Sequence, residues 1–270
     1  MARKRIQNVL KKEWLVIFTD LNSALLVTLL PALIVGQAVL VIWLAAEFGG
    51  EGATAVAVFA ASMAKLRNAV PAVAALPPVE QFQVLLLSQL PFYLLVIPTM
   101  IAISFATFSI VEEKTSRSLE PLLATPVRTW ELLLGKALSG ALPALVVSWV
   151  CAGLAVIAVL GLGWGHLLSA VLTPTWYLTL FLLTPGVAVL SFLLGIIASS
   201  RARDAKGAQN IAVAVVLPIL ALVGVQVTGL VWFSPLLTLG LAVVIGVVDV
   251  LVLRVAIRLF QRESIVVGWR

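Results

Sequence analysis

Few side chains in these 270 residues are of a kind that does chemistry, and none stands where a catalytic partner would. The single histidine, His166, lies beside Trp164 in a Gly- and Pro-rich turn. A serine–histidine hydrolase inside a membrane needs its imidazole within a helix, next to the nucleophile. A turn position reads instead as a solvated or interfacial residue. The single cysteine, Cys151, has no mate for an intrachain disulfide and no second soft ligand for a metal, so it reads as a small residue facing lipid or another helix. The one Gly-Lys pair is Gly135–Lys136. Trp130 stands where a phosphate-binding loop needs its first glycine, and Ala137 where it needs Ser or Thr. The chain is therefore expected to be no enzyme, with no metal and no cofactor of its own.

Two ionisable places remain. Asp249 lies in "VVIGVVDVLVLRVAIRLF", inside the last long apolar run. A carboxylate in hydrocarbon needs a partner, water or a proton. Arg254, five residues on, is a poor match along one helix, so a partner on another helix is expected. The functional reading is an ion or substrate contact; the preferred one is a structural interhelical hydrogen bond or ion pair. The second place is "EEKTSRSLEPLLATPVRTWELLLGK", residues 112–136, a charged stretch between two uncharged runs, 81–111 and 137–200.

The elements that position these residues follow from composition. The chain is 62% hydrophobic and 11% charged, against about 25% charged in a soluble domain. Runs of this length cross a bilayer, whose hydrocarbon core takes about 20 helical residues. Backbone groups in lipid must be satisfied internally, and runs without period-two alternation select helices over a barrel. The expected fold is all-α, with six spans near 21–46, 84–111, 137–160, 177–198, 211–230 and 236–257. The 64-residue run 137–200 is divided at Gly161–Trp176, where Gly, Pro and Trp cluster as at a membrane surface. The outer loop, 47–83, contains "GATAVAVFAASMA", thirteen uncharged residues. That is too short to span, and it is expected as a surface helix.

Charge sets the orientation. Sixteen of the eighteen Lys and Arg residues fall on the side that carries both termini, and only Lys65 and Arg67 fall on the other. The positive-inside rule then places both termini in the cytoplasm. The net charge of +6 is segregated by topology, so nucleic acid is not expected as a partner. A cleaved signal peptide is not expected either. The first apolar run is 26 residues and follows a long charged segment.

Residues 1–20 form a separate element. Ile6, Val9, Leu10, Trp14 and Ile17 fall on one helical stripe, with Lys and Arg opposite. Such a helix lies in the membrane interface. In 112–136, Leu119, Leu122 and Leu123 share a helical edge. Glu112, Glu113, Lys114, Arg117 and Glu120 flank it with charges of both signs. Ser118 precedes it, and Thr125–Pro126 reads as an N-cap followed by proline at the first helical position. A small apolar edge rimmed by charge suits a groove on a soluble partner.

"LEPLLATPV" (Leu119–Val127), with Glu113–Lys114 before it and "WELLLGK" (Trp130–Lys136) after it, resembles the signature of ABC-2 type ABC transporter permeases. The resemblance continues in "SSRARDAKGAQNIAVAVVLPIL" (Ser199–Leu220) and "LFQRESIV" (Leu259–Val266). Relatives often carry Gly-Thr where this chain has Arg117–Ser118, which bears on local geometry there. The resemblance implies an N-terminal elbow helix over 1–20 and a six-helix transmembrane domain over 21–270. It implies a cytoplasmic coupling helix at Ser118–Thr125 and an outer gate at Gln226–Pro235. It also implies a dimer of permease subunits, alike or related, with two separately encoded ATP-binding cassette subunits that hold the ATP and Mg. The expected setting is the plasma (inner) membrane of a bacterium or archaeon, and the expected function is export. The competing expectation is an ion-coupled secondary transporter or channel that uses Asp249. No convincing internal repeat supports that alternative.

Overall fold

The structure is a computed structural model. It describes residues 7, 14, 21–48, 57–115, 129–201, 217–222, 224–226 and 232–259. The described residues form helices and turns, with no strand among them.

The chain runs through α1 (Leu21–Phe48), α2 (Ala57–Ala69) and a 3₁₀ turn at Pro71–Ala75. It continues through α3 (Pro78–Leu94), α4 (Val96–Thr115) and α5 (Thr129–Gly161). A turn with a 3₁₀ segment at Gly165–Leu167 leads to α6 (Leu168–Val171) and α7 (Pro174–Leu178). A single π-helical turn, Thr179–Leu183, joins α7 to α8 (Thr184–Arg201). The last helix is α9 (Pro235–Leu259).

Among the described residues, five helical stretches are long and apolar enough to cross a membrane: Val27–Phe48, Pro78–Ala106, Leu133–Gly161, Pro174–Ser199 and Pro235–Leu259. Within the expected fifth span, residues 217–222 and 224–226 are helical, and the remainder lies outside the described residues.

Helix ends follow local chemistry. Ser234 caps α9: its hydroxyl accepts from Leu237 N–H at 3.3 Å, and Pro235 occupies the first helical position. The turn after α5 needs a positive φ, supplied by Gly163 at 81°. The second span begins at Pro78, earlier than the expected residue 84, because Pro77 and Pro78 start the helix within the outer layer. It is interrupted at Leu95, whose N–H bonds back to Phe92 O at 3.1 Å in a tighter turn. Pro98 lies just beyond and has no N–H to continue the regular pattern. Thr99 steadies the join by donating its hydroxyl to Leu95 O at 2.7 Å.

In a bilayer, apolar faces gain little by leaving lipid, so tight packing of small residues has to hold helices together. α4 and α8 make the closest helix pair. A Cβ on Gly195 would come within 2.8 Å of Ala106 Cβ and 3.4 Å of the Ile103 backbone. Gly140 of α5 receives the ring of Phe192, which is fully buried. α1 packs on α5 and α3, and α9 packs on α8. The outer helix α2 lies against α3 with Ser62, Met63 and Leu66 buried. Its 13 residues make about 20 Å of helix, too short to cross.

Candidate membrane pathway and coupling surface

On the side expected to face outward, polar side chains tie the loop layer to the spans. Arg67 Nε donates to Gln81 Oε1 at 2.7 Å, and Gln81 Nε2 donates to Leu76 O at 2.7 Å. His166 is exposed, as expected of a turn residue, and its Nε2 lies 3.5 Å from Glu80 Oε1. Next to this layer is a cavity of about 310 Å³ lined by residues that include Leu66, Ser88, Thr173, Thr175, Gln226, Trp232 and Ser234. Gln226 is 2% exposed. Its Oε1 accepts from Phe233 N–H at 3.3 Å, while Thr175 Oγ1 donates to Phe233 O at 3.4 Å. The described part of the expected gate, Gln226 and Trp232–Pro235, thus lines one part of a mostly apolar space that also holds a few polar side chains.

Deeper in the bundle, α9 meets α8 at Gly186. A Cβ there would lie 2.9 Å from Ile245 Cγ2 and 3.7 Å from Asp249 Oδ2. Asp249 therefore lies against another helix. Its Oδ1 is buried and accepts no hydrogen bond among the described residues. Nearby, the π turn displaces the backbone pattern by one residue. The Thr184 N–H bonds to Thr179 O, five residues back, and the Thr184 hydroxyl reaches the same oxygen at 2.8 Å. Pro185 follows and has no N–H. π turns of this kind concentrate at functional positions. Cys151 is buried within α5.

On the opposite side, Glu131 and Lys136 of α5 are 4% and 2% exposed. Both make polar or electrostatic contacts, as buried charges must. Lys136 lies inside the apolar stretch that begins at Leu133. Trp14 donates its indole N–H to Ser139 O at 3.0 Å. That bond brings one residue of the expected elbow to the first turns of the third span. Ile6, Val9, Leu10 and Ile17 lie outside the described residues. Glu112, Glu113 and Lys114 lie in the last turns of α4. Arg117, Ser118, Leu119, Glu120, Leu122, Leu123, Thr125 and Pro126 lie outside the described residues.

Several polar positions escaped the reading of the sequence. Glu131 and Lys136 entered the sequence reading only as members of the charged stretch 112–136, and nothing beside them in the sequence marks them as buried. Gln81, Gln83 and Gln89 are buried, but a search for charges alone passes over amides. Pro185 two positions after "LL" was the available sign of the irregular turn.

The family model for the ABC-2 family transporter protein matches residues 7–241. No curated protein matches the chain at a significant level. This family supplies the transmembrane component of ABC transporters, a multi-pass membrane part that is not itself catalytic and usually works with ATP-binding subunits. The match spans most of the sequence, including the signature around Leu119–Val127, and the chain belongs to the ABC-2 transporter family as a membrane permease.

Proposed function

We propose that this chain is the permease subunit of an ATP-driven exporter in the plasma membrane of a bacterium or archaeon. It crosses the bilayer six times with both termini in the cytoplasm. Two permease chains form the pathway, and two separate ATP-binding subunits, carrying ATP and Mg, drive it. The segment 112–136 is the contact through which they act, with Leu122 and Leu123 at its centre and Glu120 at its rim.

The observation that supports this reading is the overhang of two neighbouring helices. α4 continues to Thr115, four residues past Val111, where the uncharged run of the second span ends. α5 begins at Thr129, eight residues ahead of Ala137, where the next uncharged run starts. Those four residues of α4 add about 6 Å of helix that carries charge. α4 and α5 are packed together behind these ends. A partner engaging the segment between them would push on two spans at once.

The test is co-purification with an ATPase bearing a Walker A sequence encoded beside this chain, followed by reconstitution and a screen for compounds that stimulate its ATP hydrolysis. Stable co-purification with stimulated hydrolysis is expected. A chain that transports an ion down a gradient with no ATPase bound would overturn the reading. The partnerless Oδ1 of Asp249 is the one observation that favours that ion-coupled alternative.

A further inference from the structure

Lys65 and Arg67 are the two cations on the side expected to face outward, and both belong to α2. Arg67 lies in the last turn of that helix. Its Nε donates to Gln81 Oε1 at 2.7 Å, and Gln81, 5% exposed, is itself fixed by donating Nε2 to Leu76 O at 2.7 Å. A guanidinium is a flat fork with five N–H donors. The bond to Gln81 uses the one on Nε and sets the direction of the fork. The four on the terminal nitrogens meet no acceptor among the described residues. Arg67 is exposed, and so are Ala60 and Ala64, which stand two turns and one turn before it on the same face. Side chains this small do not overhang the end of the fork.

Gln81 stands three residues into the apolar stretch that opens at Pro78, about 4.5 Å of helix. Its neighbour Glu80 lies 3.5 Å from His166, two residues from Trp164 in the turn after α5. Tryptophans gather at headgroup level, and headgroups add roughly 5–7 Å to each side of the hydrocarbon. Arg67 therefore stands at the depth of lipid phosphates. The carboxylate of Glu80, which would repel an anion, is directed at His166. A tie between α2 and α3 needs only the bond on Nε, and a neutral donor would make it without placing a charge at the membrane surface.

We propose that Arg67, held by Gln81, is a binding site for the phosphate of a membrane phospholipid, whose two non-bridging oxygens accept from the terminal nitrogens. A lysine offers no such paired donors. Phosphate lies at this depth in both leaflets, so the site stands or falls separately from the exporter reading and from the orientation of the chain.

The experiment uses the full chain in dodecyl maltoside micelles, a matrix without phosphate, and two photoreactive lipids. One is phosphatidylethanolamine acylated on its amine with a diazirine, which keeps the phosphate charge. The other carries the same diazirine on diacylglycerol, with no phosphate. After illumination, adducts are mapped by mass spectrometry. The phosphate lipid should label 60–68 and 78–82 about tenfold more than the other, the worth of a charge-assisted pair. Arg67→Gln should bring it down to the level of the phosphate-free lipid. Arg67→Lys keeps the charge without the fork, and Gln81→Leu keeps the fork without its hold. Each should lower the labelling about threefold or more, and Arg67→Lys carries the test if Gln81→Leu does not fold. Equal labelling by both lipids would mean plain partition and would overturn the proposal. Full labelling retained by Arg67→Lys, or by a folded Gln81→Leu, would make Arg67 an ordinary surface charge and would overturn it too. Loss of the signal to equimolar glycerol 3-phosphate would give the site to a soluble phosphate instead of a lipid.

Discussion

The indole Nε1 of Trp149 donates to the main-chain oxygen of Leu180 at 3.0 Å, from α5 to the π turn that precedes α8. The backbone explains why a side chain is needed there. Thr184 N–H goes to Thr179 O, and Pro185, next in line, has none to give. Trp149→Phe should therefore destabilise the chain by about 0.6–1.7 kcal/mol, the range for interhelical hydrogen bonds in membranes. Pro185→Ala restores a donor and should shrink that loss. Thermal unfolding of the two single variants and the double variant in one detergent measures the coupling. Equal losses in both backgrounds would mean that the indole contributes packing alone.

Asp249 calls for a different expectation from the one its sequence context suggested. A carboxylate holding two helices together should be missed when replaced, so Asp249→Leu was expected to lower folded yield. Oδ1 makes no hydrogen bond among the described residues, and removing a desolvated acceptor relieves a cost. Asp249→Leu should now fold at least as well as the unmodified chain, and Asp249→Asn should keep partial transport. Melting temperature and transport in proteoliposomes are the readouts. A sharp fall in folded yield for Asp249→Leu would point to a partner outside the described residues.

For the coupling segment, Leu122→Asp combined with Leu123→Asp should release the ATP-binding subunit and leave the membrane fold intact. Each leucine buried at such a contact is worth at most about 1.5–3 kcal/mol. Glu120→Lys should weaken substrate-stimulated hydrolysis more than assembly, because rim charges mainly set register and encounter rate. Pull-down yield and ATPase rate separate the two effects. Undiminished binding and transport by the double leucine variant would remove this segment from the mechanism.

Orientation is checked with single cysteines in a Cys151→Ser background. Cysteines at Ser116 and Ala205 should react only with reagents that reach the cytoplasm, and one at Gly50 only from outside. Labelling of Gly50 and Ser116 from the same side would reject six crossings.

What could be read in advance followed from punctuation and charge. Ser234–Pro235 announces the start of α9, and the Gly and Pro cluster after Leu160 announces the end of α5. These are local backbone constraints, visible one residue at a time. The site was less legible. The burial of Lys136 depends on neighbours far away in sequence, and the hold of Gln81 on Arg67 depends on the meeting of α2 and α3. Trp149 lies in the middle of an uncharged run, but its partner is a carbonyl, which every residue has. The expected start of the second span, residue 84, falls six residues after the helix begins at Pro78, a start that includes the charged Glu80. The helix runs on past it into the outer layer.

The interruption at Leu95 makes the second span two levers on one fulcrum. The 17 residues of α3 form an arm of about 25 Å, and the 20 of α4 one of about 30 Å. A change of about 10° at the joint swings the far end of α4 by roughly 5 Å. That is about one helical turn of travel, obtained from two or three backbone torsions and without unwinding either arm. The arms are also clamped differently, α3 to the outer layer through Gln81 and α4 along its length to α8. A force applied beyond Thr115 would tilt the lower arm with α8 while the upper arm stays with the outer layer.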